Sequence, residues 1–407
     1  MRRPFLLVSL LALAACSDVT QPPTAAAPGG PALASAGDAA GYIVVLRAER
    51  GATPAAARAR AEQVAAAAGV RADRVFTAVL QGFSARLNSA QLAALRQRPD
   101  VAYAELDAPV RLFTTQSNPY SWGLDRVDDY NLPLDQTFTY TRTGSGIKAY
   151  VLDTGINLNH LDVVGRASYI PNGSNGDFVG DGHGSAADCH GHGSHVAGTV
   201  GGTYSGIAKQ VTIIAGRVVN CSGGGNASMA IAGMDWIRSN GLKPAVVNMS
   251  LGYGNLASVR TAAENLVAAG FTVVAAAGNG DFAGNPLNAC NESPAGAPNV
   301  ITVGATDVTD HEASFSNYGT CVDILAPGVG IYSSDYLVTN QVAPRSGTSM
   351  AAPHVAGVAA QYLQGFPTAS PAAVWRGIYG NAVTNTITLN RVSSYYGTPN
   401  RFLFTDY

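Results

Sequence analysis

Nineteen residues near the middle of the chain, DGHGSAADCHGHGSHVAGT at 181–199, contain four of its seven histidines, two aspartates and one cysteine. A zinc site needs three or four converging ligands, usually two histidines four residues apart on a helix or two cysteines separated by two residues. Neither spacing occurs here. His190 and His192 would point about 200° apart on a helix, and Gly191 and Gly193 disfavour a stiff ligand helix. The pattern therefore favours proton transfer by one histidine over metal binding.

Two further polar residues complete a set that could do this chemistry. Asp153 directly follows the apolar run AYVL, and Ser349 lies in SGTSMAAPH, just before the helical run HVAGVAAQYLQ. His192 lies in a Gly-His-Gly turn, and we expect the helix after it to begin near His195. Each residue alone has an ordinary explanation as a helix cap or loop residue. Together they are the parts of an activated nucleophile, in which a carboxylate holds an imidazole and the imidazole deprotonates a hydroxyl.

The elements that must position these residues read as an α/β domain. The runs AYVL, VTII, AVVN and TVVAAA are apolar throughout, as expected for parallel strands covered on both faces. They alternate with helical stretches such as ASMAIAGMDWIRSN and SVRTAAENLVAAG. In such a sheet, functional groups gather at the carboxyl ends of strands and at the helix N-termini that follow.

The first 113 residues have a different organisation. Residues 1–16 have two arginines and a short apolar run, which is typical of a signal peptide. Leu13 to Cys16 resemble a lipobox, which would lipidate Cys16, although an ordinary small-residue cleavage site is the alternative. Residues 17–40 are rich in Pro, Ala, Gly and Ser and are expected to be a linker. Residues 41–113 alternate as strand and helix in a small α+β unit of βαββαβ order, and residues 114–407 form the large domain.

Composition narrows the function further. The 407 residues are 47% hydrophobic and 13% charged, with a net charge of −2, so no nucleic-acid partner is expected.

Four cysteines remain beside Cys16, and in an exported protein an even number favours two disulfides. Three connectivities are possible, and pairing sequence neighbours gives Cys189–Cys221 and Cys290–Cys321; four free buried thiols are the alternative.

At this point the sequence resembles the subtilisin-like serine proteases. The resemblance is carried by VLDTGI around Asp153, HGHGSHVAGT around His192, AAAGN at 275–279 and SGTSMAAPHVAG around Ser349. Within that family the proteinase K-like branch, and its aqualysin-type secreted enzymes, match best through WGLDRVD, NCSGGG and SFSNYGTCVDILAPG. Residues 41–112 resemble the family's inhibitory propeptide. The resemblance implies a three-layer fold with a mainly parallel central sheet, preceded by the α+β propeptide domain.

The same resemblance implies roles for individual residues in a self-processing, secreted endopeptidase. It makes Ser349 the nucleophile, His192 the base, Asp153 its orienting carboxylate and Asn279 an oxyanion donor beside the backbone N–H of Ser349. The substrate-binding residues would be Gly223, Gly224, Gly225, Ser250, Leu251, Gly252, Ala277 and Gly278. Structural calcium would be held by Asp323 with the carbonyls of Pro294 and Gly296, and at a second cluster of Asp125, Asp128, Asp129 and Asp135. For that cluster a solvated acidic face is the competing explanation.

Partners and specificity follow only in outline. The expected partners are protein and peptide substrates and the chain's own propeptide, acting as folding chaperone and inhibitor on a monomeric enzyme. The resemblance predicts broad specificity with an apolar or aromatic preference, which Tyr253 after SLG could narrow. A catalytically silent scaffold would be expected to lack one of the four central residues, and all are present. A lipid or ester hydrolase would want Gly-x-Ser-x-Gly, which Ser349 lacks.

Overall fold

The computed structural model describes residues 40–49, 51–107, 114–281 and 283–407. The expected signal peptide with Cys16, and the linker up to residue 39, lie outside the described residues. So does the segment 108–113 between the two folded regions. Among the described ranges, no helix is both long and apolar enough to cross a membrane.

The N-terminal region has the expected βαββαβ order. Its elements are β1 Ala40–Leu46, α1 Pro54–Ala67, β2 Arg74–Phe76, β3 Gly82–Leu87, α2 Ser89–Arg96 and β4 Val101–Leu106. The strands form an antiparallel sheet in the order β2-β3-β1-β4. The run FTAVLQGFSARL contributes to two strands, because residues 78–81 turn the chain so that Phe76 pairs with Gly82.

Local signals and one apolar core explain this small domain. Thr53 caps α1 by accepting a hydrogen bond from the Ala56 backbone N–H, and Pro54 occupies the first turn. Asn88 and Gln91 form a capping box at the start of α2. Both helices cover the sheet, burying Val44, Phe83 and Leu95 in a shared core.

The larger region is built on a nine-stranded sheet in the order β16-β17-β13-β12-β11-β10-β7-β9-β8, parallel except for the β16–β17 pair. Two antiparallel pairs, β5–β6 and β14–β15, lie outside it. The strands are β5 Thr114–Ser117, β6 Thr137–Tyr140, β7 Lys148–Asp153, β8 Ala167–Tyr169, β9 Thr212–Arg217, β10 Ala245–Met249, β11 Thr272–Ala276, β12 Ile301–Thr306, β13 Ile324–Pro327, β14 Ile331–Ser334, β15 Val342–Arg345, β16 Val383–Thr384 and β17 Arg401–Phe402. The helices are α3 Trp122–Asp128, α4 His192–Gly201, α5 Ala227–Asn240, α6 Ala257–Ala268, α7 Thr348–Gly365, α8 Pro371–Asn381 and α9 Arg391–Tyr395, with a short 3₁₀ turn at Ala289–Asn291.

Alternation along the central strands produces three layers. In β7, Ala149 and Val151 face the core that contains α4 and α7. Tyr150 and Leu152 face the opposite core, which contains α5 and α6. Because both faces are buried, these strands are apolar throughout. The expected three-layer, mainly parallel fold is confirmed.

Parallel pairing brings several strand ends to one edge of the sheet. Asp153 is the last residue of β7, and β10 and β11 end beside it at Met249 and Ala276. The expected start of α4 near His195 is wrong, because the helix already begins at His192. The Asp188 carboxylate accepts hydrogen bonds from the backbone N–H groups of Gly191 and Ser194. It thereby satisfies donors that a helix start leaves free, so the helix can begin three residues earlier.

Candidate active site

The imidazole of His192 and the carboxylate of Asp153 meet at this edge. Nδ1 of His192 lies 2.7 Å from Oδ1 of Asp153, which also accepts a hydrogen bond from the Thr154 backbone N–H. Asp153 is buried, whereas the His192 side chain is 22% exposed. An acceptor at Nδ1 fixes the tautomer that carries its proton there, which leaves Nε2 as a free base.

Two opposing effects set the pKa of His192. Burial lowers it, while the charge of Asp153 and its hydrogen bond raise it, and the net shift is upward. The imidazolium formed on accepting a proton is therefore stabilised by a carboxylate that stays in place.

Ser349 lies in the first turn of α7, next to the end of β10. Its hydroxyl donates to the Ser250 carbonyl oxygen at 3.1 Å rather than to His192, and the Ser250 hydroxyl donates to the Ser349 carbonyl at 2.8 Å. The structure thus brings Asp153 and His192 into contact and holds Ser349 against Ser250. Catalytic hydrogen bonds are often poorly aligned without substrate and tighten only in the complex.

Asn279 is oriented by the residue before Ser349. Its Oδ1 accepts from the backbone N–H of Thr348 at 2.8 Å and from the Thr348 hydroxyl at 2.9 Å. With Oδ1 engaged, the amide Nδ2 is left to donate elsewhere. A Cβ placed on Gly347 would lie 3.4 Å from Asn279 Nδ2 and 3.6 Å from Ser349 N. The glycine therefore leaves open the space that these two donors flank.

A cleft of about 330 Å³ opens beside these groups. Its lining includes the expected residues Gly223, Gly224, Gly225, Ser250, Leu251 and Gly252. Asp153 and His192 also border it, together with Thr154, His190, Val219 and Tyr253. Ala277 and Gly278 lie outside this lining and form the turn that leads to Asn279.

Comparison with known proteins decides the family. Residues 144–398 match the subtilase family, and residues 41–113 match the peptidase inhibitor I9 family. The chain belongs to the subtilase family. It is 44% identical to an extracellular serine proteinase of Thermus sp. (strain Rt41A) over 99% of this chain and 98% of the relative. It is 43% identical to alkaline serine exoprotease A of Vibrio alginolyticus over 83% of this chain and 60% of that one.

A solved structure supports the same assignment. The crystal structure of a cold adapted subtilisin-like serine proteinase matches with a TM-score of 0.65 and 43% identity, over 71% of this chain and 98% of the other. The subtilase is thus a serine endopeptidase made as a zymogen, with an inhibitory propeptide domain before its catalytic domain.

The other histidines of the 181–199 stretch of this subtilase do different work. His195 is buried, its Nε2 lies 2.8 Å from the Ile331 carbonyl oxygen, and burial lowers its pKa to about 3. His183 Nδ1 contacts the Ser185 carbonyl at the surface. His190 lies in the loop before α4 and borders the cleft. Sequence spacing gave no signal for that placement, which depends on the turn at Gly191.

A disulfide and ion pairs of buried Arg217 hold the turn that carries His192. Cys189 is joined to Cys221, and a second disulfide joins Cys290 to Cys321. Arg217, with no exposed side-chain surface, pairs with Asp177 at 2.9 Å and with Asp181 at 2.7 Å. Its Nη2 also lies 3.5 Å from the Cys221 sulfur. His192 therefore follows a segment that is held by a disulfide and ion pairs.

The structure brings together three of the four acidic residues near α3. Carboxylate oxygens of Asp125, Asp129 and Asp135 lie within 4.8 Å of one another. Within the described ranges, Asp125 Oδ1 is buried without a hydrogen-bond partner, and burial with neighbouring carboxylates raises the pKa of Asp125 to about 6. Asp128 instead accepts a hydrogen bond from the Thr139 backbone N–H, and burial raises its pKa to about 8.

The other expected calcium ligands are less clearly assembled. Asp323 accepts a hydrogen bond from the Thr302 backbone N–H, and burial raises its pKa to about 6. The Pro294 carbonyl oxygen accepts from the Ala297 backbone N–H, and Gly296 lies beside the Arg260 guanidinium. This set has a single carboxylate and stays a prediction.

Proposed function

We propose that Ser349, His192 and Asp153 carry out peptide-bond hydrolysis in this subtilase through an acyl-enzyme. The Ser349 hydroxyl turns from Ser250 to His192, attacks the scissile carbonyl carbon, and gives its proton to Nε2. The imidazolium then protonates the leaving amine, and a water molecule activated by the same base releases the acid. The observation that carries the proposal is the 2.7 Å contact between His192 Nδ1 and buried Asp153 at the strand edge beside Ser349.

The negative charge that develops on the carbonyl oxygen is received by two donors, Asn279 Nδ2 and the Ser349 backbone N–H. Their arrangement around the open face of Gly347 supports this role. Loss of such a side-chain donor lowers turnover by about 10²–10³.

The substrate backbone binds in the cleft as an added strand. The segments Gly223–Gly225 and Ser250–Gly252 offer backbone edges with little side-chain bulk, which β-strand addition requires. Main-chain hydrogen bonds of this kind are independent of sequence, in keeping with activity on many proteins.

The propeptide domain blocks this cleft until the enzyme removes it. Self-cleavage near residues 112–116 separates residues 41–113 from the catalytic domain, 114–407. We test this with Ser349→Ala, which should accumulate as uncut precursor and hydrolyse no casein. His192→Ala should behave in the same way, whereas Ser258→Ala, an exposed substitution on α6, should mature normally. Mature, active protein from Ser349→Ala would overturn the assignment.

Calcium is the ion that suits Asp125, Asp129 and Asp135. Three converging hard oxygen ligands, one of them buried and unpartnered, fit its preferences. Bound calcium would offset the repulsion among these carboxylates and tie α3 to the turn at Asp135. Isothermal titration of chelator-treated Ser349→Ala with Ca²⁺ should show binding that Asp129→Asn weakens. Unchanged binding in that variant would exclude this cluster.

The protein is exported and acts outside the cell as a monomeric enzyme. If Cys16 is lipidated, the anchor stays on the propeptide side and self-cleavage releases the catalytic domain. Cell fractionation should then place Ser349→Ala precursor with membranes and wild-type activity in the medium. A precursor that is soluble would rule out the anchor and leave the catalytic assignment untouched.

A further inference from the structure

Two backbone segments leave the central sheet next to the reacting atoms, with a gap between them. Ser250–Gly252 follows β10 and Ala277–Asn279 follows β11, and these strands pair in parallel. The first segment is joined to Ser349 through Ser250, and the Gly278 N–H donates to the Thr348 hydroxyl. A substrate carbonyl directed at Asn279 and Ser349 must therefore place the side chain of its own residue, P1, between the two segments.

Glu292 faces the gap between these segments. A Cβ placed on Gly252 would have the Glu292 Oε2 as its one neighbour within 4 Å, at 3.9 Å. A Cβ placed on Gly278 would lie 3.6 Å from Glu292 Cγ. At Gly278 the Asn317 amide lies nearer still, whereas at Gly252 no other atom comes within 4 Å of that position, so the carboxylate borders the gap from the Gly252 side. The backbone N–H groups of Tyr253 and Ser293 donate to each other's carbonyls, at 2.8 and 2.7 Å, which fixes Glu292 beside the first segment.

The carboxylate is half-buried, and the part of the chain that the structure describes gives it no partner. Its side chain makes no hydrogen bond or ion pair with the described residues. The nearby Arg260 directs its guanidinium to the Ser293 hydroxyl at 3.1 Å and the Cys290 carbonyl at 2.7 Å. Burial raises the pKa of Glu292 and the charge of Arg260 lowers it, with a net rise. A partly desolvated carboxylate without a donor is stabilised by any cation that enters the gap.

We propose that Glu292 makes the P1 pocket a site for lysine and arginine side chains, so that this subtilase cleaves efficiently after basic residues. The inference rests on the proposed function, because it assigns the specificity of the same cleft. The ammonium or guanidinium group of P1 donates hydrogen bonds to Glu292, while its alkyl stem lies along the glycine backbone. An aromatic P1 residue leaves the carboxylate unpaired against an apolar ring.

The test uses mature enzyme and peptide substrates that differ only at P1, as Arg, Lys, Phe or Glu. Glu292→Gln should lower kcat/KM on the Arg and Lys substrates about tenfold to a hundredfold, the range for a lost charge-assisted hydrogen bond. It should leave the Phe substrate unchanged or improved. Glu264→Gln, the same change at another half-buried carboxylate, which accepts hydrogen bonds from Asn299, should not alter the Arg/Phe ratio.

A second variant keeps the proposal testable if Glu292→Gln folds poorly. Glu292→Lys should lose activity on the Arg substrate and gain it on the Glu substrate. An unchanged Arg/Phe ratio in both variants, or wild-type cleavage of Phe a hundredfold faster than Arg, would overturn the proposal. If the wild-type enzyme cleaved none of the four substrates, the proposed function itself would be contradicted. The two failures are therefore distinguishable.

Discussion

Thr348 is a positioning residue whose removal has a calculable effect. Its hydroxyl is fully buried, donates to Asn279 Oδ1 at 2.9 Å and accepts from the Gly278 N–H at 3.1 Å. Thr348→Val keeps the side-chain shape and removes both bonds. The backbone N–H of Thr348 still holds Asn279 at 2.8 Å, so one of two contacts on Oδ1 survives.

The magnitude follows from the value of the oxyanion donor. Complete loss of such a donor costs about 2.7–4 kcal/mol of transition-state stabilisation. We assign half of this stabilisation to each of the two hydrogen bonds that orient Asn279. Thr348→Val then loses about 1.4–2 kcal/mol of transition-state stabilisation, which lowers kcat about tenfold to thirtyfold. KM should change little, because the oxyanion forms only in the transition state. The unpaired Gly278 N–H should also lower the free energy of unfolding by about 1–3 kcal/mol.

The assay is steady-state hydrolysis of one peptide by correctly folded variants, checked by circular dichroism. Thr348→Ser keeps the hydroxyl and should retain most of the activity. The double variant Thr348→Val/Asn279→Ala should be no slower than Asn279→Ala, because Thr348 acts through Asn279. Full kcat in Thr348→Val, or additive losses in the double variant, would refute the reasoning.

Three further predictions concern pH and stability. The raised pKa of His192 means that kcat/KM falls as pH decreases through that pKa, and Asp153→Asn should lower kcat about 10⁴-fold across the profile; a pH-independent rate would contradict this. The folded-state pKa values of Asp125 and Asp128, about 6 and 8, exceed the unfolded value of about 3.9, so chelated Ser349→Ala should lose thermal stability as pH rises from 4 to 8. Added Ca²⁺ should restore the stability, and an equal slope with and without calcium would exclude the site. Asp310→Asn breaks the bidentate pair with fully buried Arg126, at 2.8 and 2.9 Å, and should lower the free energy of unfolding by about 3–5 kcal/mol. Guanidinium unfolding of Asp310→Asn is compared with that of Glu264→Gln, at a half-buried carboxylate, and equal losses in the free energy of unfolding would count against the ion pair.

Some features of the fold could be predicted because they depend on local patterns. Strands buried on both faces must be apolar throughout, so β7, β10 and β11 were identifiable from composition alone. The split of FTAVLQGFSARL into β2 and β3 was not, since it depends on pairing between Phe76 and Gly82. The start of α4 was misplaced for a similar reason, because the group that satisfies its first turn is the side chain of Asp188.

Residues at the site divide in the same way. Asp153 ends a strand, and His192 and Ser349 lie in the first turn of a helix. Sequence patterns reveal such positions. Glu292 carries no such signal, because it reaches the P1 pocket only through the backbone pairing of Tyr253 with Ser293. The expected apolar or aromatic substrate preference came from the family resemblance and not from the residues that line the gap. Specificity is therefore the part of the function that required the structure.

The assignment of Ser349 is tested most directly by covalent labelling. Mature wild-type enzyme is treated with a serine-directed phosphonylating reagent, digested, and mapped by mass spectrometry. We predict one adduct, on Ser349, formed in step with the loss of activity and absent in His192→Ala. An adduct on another serine that accompanies inactivation, or complete inactivation with Ser349 unmodified, would contradict the assignment.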